Sequence, residues 1–119
     1  MEETRPLVTL TGQVVERYED SWKAKVGIGW PFGRLELSRD AVILSARKPH
    51  GWFWGPIVLP LSQISLVERS GIGKRTFRFR TQSKELDRFS FTPSGDGVEL
   101  LHAALSERLG DAALVAGQR

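Results

Sequence analysis

Two runs of sequence, Lys74-Arg75-Thr76-Phe77-Arg78-Phe79-Arg80-Thr81 and Asp87-Arg88-Phe89-Ser90-Phe91-Thr92, decide how this chain folds. In both, phenylalanine alternates with a polar residue. Successive side chains of a strand point to opposite faces. Phe77, Phe79, Phe89 and Phe91 therefore share one face, and Arg78, Arg80, Arg88 and Ser90 share the other. Gln82-Ser83-Lys84 turns the chain between them, so a hairpin centred near Lys84 sets Arg80 opposite Arg88. A hairpin with one apolar face must bury that face against further elements.

The flanking sequence supplies them. Leu35 and Leu37 alternate with Arg34 and Glu36, Ser38-Arg39-Asp40 turns, and Ala41–Ala46 resumes, so 33–46 reads as a second hairpin. Trp22, Ala24, Val26 and Ile28 alternate with Lys23 and Lys25 as a half-buried strand. Pro56–Leu61 is a short apolar strand bounded by prolines, which suits the edge of a sheet. Ser65–Arg69 is another strand, closed by the turn Ser70-Gly71-Ile72-Gly73. Glu2–Tyr18 reads two ways: as strand broken at Gly12, or with a short helix from Gly12 to Tyr18.

After Thr92 the period changes. Val98, Leu101, Leu105 and Leu109 recur at three- and four-residue spacing, the stripe of one helix. Asp96 and Glu99 have capping-box spacing at its start, and Gly110 stands where a helix-ending glycine belongs. The expected fold is α+β and mostly β: six or seven short antiparallel strands curled into a small barrel and stoppered by one C-terminal amphipathic helix. Residues 1–119 form one domain, with a poorly defined segment 1–20, barrel and helix over 22–109, and a loose tail 110–119.

Composition narrows the function. The chain has 119 residues and no cysteine, which excludes disulfides, cysteine catalysis and thiolate metal sites. Its 17 cations and 14 acids are unevenly spread. Residues 34–88 hold eleven cations against five acids, a surplus of six. A basic middle between acidic ends makes either an anion-attracting face or a solvated surface of mixed charge. No apolar run approaches the ~20 residues of a membrane helix. The polar opening Met1–Pro6 resembles no secretory signal, so the expected location is the cytoplasm, with peripheral attachment to the inner face of the membrane.

Motifs of catalysis and cofactor binding fail on inspection. Gly71-Ile72-Gly73-Lys74-Arg75 lacks the upstream glycine, the Ser or Thr after the lysine, and the following helix of a phosphate-binding loop, so it reads as a hairpin turn. Gly27-Ile28-Gly29 has Phe32 in place of the third dinucleotide-binding glycine. His50 and His102 have no metal-ligand spacing, and His102 reads as a partly buried helix histidine. The expectation is no catalytic residue, no metal and no cofactor.

Two constellations remain. Arg78, Arg80 and Arg88 form either a stripe for phosphate groups or an outer face screened by salt, with Glu85 and Asp87 at hand to neutralise it. Trp52-Phe53-Trp54, between Gly51 and Gly55 and beside Arg47, Lys48 and His50, suits a membrane interface, a protein hot spot, or a loop folded over the barrel end. Base stacking on nucleic acid ranks behind these because the net charge is only +3.

Residues 33–44, Gly-Arg-Leu-Glu-Leu-Ser-Arg-Asp-Ala-Val-Ile-Leu, resemble the G-x-L-x-L-T-x-D-x-L-x-F hairpin of GRAM and bacterial pleckstrin-homology-like domains. Residues 57–68, Ile-Val-Leu-Pro-Leu-Ser-Gln-Ile-Ser-Leu-Val-Glu, resemble the I-P-L-x-D-I-x-x-V segment that follows it, with Ser62-Gln63 in place of the usual Ser/Glu-Asp. The resemblance spans about residues 22–109. It implies a seven-stranded bent barrel capped by a helix, in a family that binds lipids, peptides or proteins, or self-assembles. The function expected is non-enzymatic recruitment to an anionic membrane or a protein partner. Arg47, Lys48, Trp52 and Trp54 make first contact, and Arg78, Arg80 and Arg88 form a second basic face. The alternative is a homo-oligomeric structural module paired through strand edges.

Overall fold

A computed structural model describes residues 8–16, 26–27, 33–47 and 53–116. Both phenylalanine runs lie in it as paired strands. In chain order the elements are β1 (Val8–Glu16), β2 (Val26–Gly27), β3 (Gly33–Leu37), β4 (Ala41–Arg47), β5 (Phe53–Pro60), β6 (Ile64–Ser70), β7 (Thr76–Thr81), β8 (Phe89–Pro93), α1 (Gly97–Leu109) and β9 (Leu114–Ala116). They form one open sheet in the order β5-β4-β3-β1-β8-β7-β6-β9, with β2 beside β1. Every pairing is antiparallel except that of β6 with β9, which is parallel.

β1 joins the two halves of the sheet. Val8–Gly12 pairs with β3, and Gly12–Glu16 pairs with β8. Gly12 belongs to both ladders and is where β1 passes from one half to the other. A side chain there would run into the Thr92 carbonyl, and one on Gly33, its partner in β3, would meet the Gly12 carbonyl at 2.8 Å. Only glycine allows backbones this close. The segment from Gly12 to Glu16 is thus strand, and the helical alternative for it is overturned.

The β3–β4 hairpin closes on Ser38. Its N–H donates to the Ala41 carbonyl at 2.9 Å, and the Ala41 N–H donates to Ser38 Oγ at 3.2 Å. In the β7–β8 hairpin, Phe77 pairs with Phe91 and Phe79 with Phe89, which centres the turn on Lys84. Phe77, Phe79 and Phe91 are fully buried, and Phe89 nearly so. They join Leu35, Leu37, Val42 and Leu44 from the other half in one apolar cluster. Side chains of both halves meet around this core, so the sheet bends about it.

Helix α1 runs over Gly97–Leu109 and packs against β1, β8 and β9. Val98, Leu101 and Leu105 enter the core and Leu109 lies against it, as their spacing requires. Gly110 ends the helix at φ 93°, and its N–H donates to the Ser106 carbonyl at 2.8 Å. The capping box does not form. Asp96 has φ −85° and ψ 7° rather than the extended conformation of an N-cap, and its carboxylate makes no cap hydrogen bond. The Gly97 N–H instead donates to the Ser94 carbonyl at 3.0 Å, within a turn.

Two further expectations change. Residues 111–116 are not a loose tail: a short 3-10 turn, Asp111–Ala113, leads into β9, which lies along β6 while Leu114 packs on the core. The strand read from Trp22 to Ile28 appears within the described residues only as β2.

Candidate functional site

The first constellation lies largely outside the described residues. Arg47 ends β4, its backbone opposite Phe53, and Trp54 lies in β5 opposite Ala46. Phe53 and Trp54 are thus in a strand rather than a loop. Lys48 and Trp52, and the side chains of Arg47 and Trp54, fall outside what the structure describes.

The second constellation is built as a hairpin face. Arg78 lies cross-strand from Glu68 on one side and Ser90 on the other. Arg80 holds Asp87 through Nε at 3.0 Å and Nη2 at 3.2 Å, and its Nη1 lies 3.5 Å from Glu68 Oε2. Arg88 belongs to the turn before β8, where its Nε donates to the Glu85 carbonyl at 2.9 Å. Asp87 also accepts from the Thr81 N–H at 2.9 Å. Burial pushes the Asp87 carboxyl up. The hydrogen bonds from Arg80 and Thr81 and the charges of Arg80 and Arg78 outweigh burial, and the net shift is below its ordinary 3.8. Much of this stripe's charge is thus answered inside the hairpin.

A third location, absent from the sequence reading, is the end of the molecule where the β6–β7 turn meets the start of α1. Arg69 organises it. Its Nε and Nη2 donate to the Lys74 carbonyl at 3.0 and 2.8 Å, closing the turn, and its guanidinium carbon lies 5.1 Å from the Phe77 ring centroid. Its Nη1 is 3.0 Å from His102 Nδ1. A guanidinium has no acceptor, so Nδ1 must accept and the ring proton sits on Nε2. Arg75 ties the turn to the loop before α1, donating from Nη2 to the Gly95 carbonyl at 2.9 Å. A cleft of about 680 Å³ opens here, with Arg69 and Arg75 on the turn side and Asp96, Glu99 and His102 on the helix side.

Beyond the cleft the turn itself projects. Gly71, Gly73 and Lys74 have φ of 83°, 74° and 54°, the left-handed region where glycine is favoured. Between the two glycines stands Ile72, 97% exposed. Lys74 and Arg75 beside it are exposed as well. Gly-Ile-Gly-Lys-Arg carried a signal that could have revealed this tip: an isolated β-branched apolar residue framed by glycines and followed by two cations.

Among the described residues no charged or polar side chain is buried, no group of three potential metal ligands gathers, and no helix is long and apolar enough to cross a membrane. Neither a family model nor a curated protein matches the sequence.

Proposed function

We propose that the chain is a pleckstrin-homology-like binding module, without chemistry of its own, that recruits to an anionic membrane surface on the cytoplasmic side. One observation carries the reading. The segment 34–88, with its surplus of six cations, builds most of the sheet, and every charged side chain described in it lies outside the apolar core. The described part of that excess, nine cations against five acids, is therefore presented at the surface, where each cation near anionic lipid contributes about 1 kcal/mol. The bent sheet hinged on β1, with a C-terminal helix against its core, supports the family reading.

Self-association through strand edges finds less support. Along β6 the edge at Val67–Arg69 is covered by the chain's own β9, and β5 carries Pro56 and Pro60. A protein partner is the outcome that remains if lipid fails.

The test is co-sedimentation of the full chain with neutral phosphatidylcholine vesicles and with vesicles containing phosphatidylserine. Binding to the anionic vesicles alone, lost as salt rises from 50 to 300 mM, is expected from screening. Equal pelleting with both vesicles, or with neither, would falsify the reading.

A further inference from the structure

We infer that Ile72, at the tip of the β6–β7 turn, is an apolar wedge that enters the bilayer while Lys74 and Arg75 meet lipid phosphates beside it. The inference rests on the anionic-membrane reading and gives it a point of contact.

A single exposed apolar side chain is ordinary on a protein surface. Ile72 differs in how its exposure is produced. Two glycines and a lysine adopt left-handed backbone around it, and the side chain is left almost wholly in water. The base of the turn is pinned on both sides. Arg69 holds the Lys74 carbonyl from β6, and Arg75 holds the Gly95 carbonyl from the loop before α1. The tip is therefore carried on a braced support and does not fold back onto the core.

The neighbouring charges fit a membrane. Lys74 and Arg75 follow Ile72 after Gly73 and are exposed. A short apolar side chain at the boundary between headgroups and acyl chains, with cations at phosphate level, combines hydrophobic and electrostatic attraction. Asp96 and Glu99 line the cleft between the turn and α1.

The chain has no cysteine, so one label can be placed at will. Ile72→Cys carrying an environment-sensitive fluorophore should brighten and shift to the blue with phosphatidylserine vesicles. The same label at Glu107→Cys, on the exposed side of α1, should not. In co-sedimentation, Ile72→Ala should weaken partitioning about tenfold, consistent with loss of most of one aliphatic side chain's burial. Ile72→Asp should weaken it further, and Lys74→Gln should lower it at low salt. The residue touches no core, so circular dichroism should show unchanged melting for both Ile72 variants. If the wild-type chain pellets with anionic vesicles while the label at 72 stays in water and Ile72→Asp still binds, the wedge is wrong and recruitment stands. If the wild-type chain does not pellet, the recruitment reading fails and the wedge fails with it.

Discussion

Arg80 and Asp87 form a two-point ion pair across the mouth of the β7–β8 turn, Nε to Oδ1 at 3.0 Å and Nη2 to Oδ2 at 3.2 Å. The ladder ends at Phe79 with Phe89; continued one step it would set Arg80 opposite Arg88, a like-charge pairing that would repel, but Arg88 stands in the turn with its Nε on the Glu85 carbonyl. The turn also brings an acid one residue short of Arg88 and aims it at Arg80. Glu68 of β6 adds a second negative charge at 3.5 Å. The alternation that buries the phenylalanines thus puts Arg80 on the outer face, where Asp87 and Glu68 answer its charge.

From this follows a pH dependence with a definite sign. The Asp87 carboxyl is held below its ordinary 3.8 in the folded protein. A depressed carboxyl contributes stability that is fully present above the unfolded value and is lost as pH falls through the folded one. Asp87→Asn should therefore cost about 1–2 kcal/mol at pH 7, since the pair is partly exposed to solvent. The gap between variant and wild type should narrow as pH falls below the ordinary carboxyl value of 3.8. Urea titrations at pH 7, 5 and 3 measure this, and a gap that did not change with pH would show that charge is not the cause.

How much of this was legible in the sequence depended on how local each feature is. The Phe77/Phe79 and Phe89/Phe91 alternation, the turn at Lys84 and the Val98/Leu101/Leu105 stripe are fixed by neighbours within one element, and all stand as read. β1 was ambiguous because Gly12 serves two ladders: one strand serves two halves of the sheet, and no local period announces the change of partner. β9 was missed because three residues are too few to show a period. The cleft was missed for another reason. Arg69 and Arg75 come from β6 and the turn, and His102 from the helix, and only the fold brings them together. Ile72 is legible only as one apolar residue framed by two turn glycines, because its exposure depends on the left-handed backbone those glycines adopt.

β9 supplies the second prediction. It covers the outer edge of β6 with parallel pairs Val67 to Leu114 and Arg69 to Ala116, while Leu114 packs on the core. Ending the chain at Gly110 uncovers the Val67–Arg69 edge of β6 and removes an apolar contact. The shortened chain should lose about 1–3 kcal/mol and melt several degrees lower. It should also associate, because an uncovered edge offers its backbone groups to any other strand. Light scattering across a concentration series reads the mass. A shortened chain that stayed monomeric at every concentration would deny β9 its covering role.

The opposite edge is guarded by a different device, and it yields the third prediction. β5 pairs with β4 on one side only. The Leu61 N–H donates to the Asp40 carbonyl at 2.8 Å, so odd-numbered backbone groups here face β4. In-plane direction alternates along a strand. Ile57 and Leu59 then also face β4, while Pro56, Val58 and Pro60 face outward. The two prolines have no N–H, so Val58 is the single donor along that stretch, although its side chain is 49% exposed and apolar. A bare edge with an exposed valine would attract another strand, and the prolines remove the hydrogen bonds that would hold it. Pro56→Thr with Pro60→Val restores two donors facing outward without disturbing the ladder to β4. The double variant should keep its fold by circular dichroism and gain mass with concentration in light scattering, where the parent does not. If the double variant and the parent scatter alike at every concentration, the prolines have no part in keeping this edge unpaired.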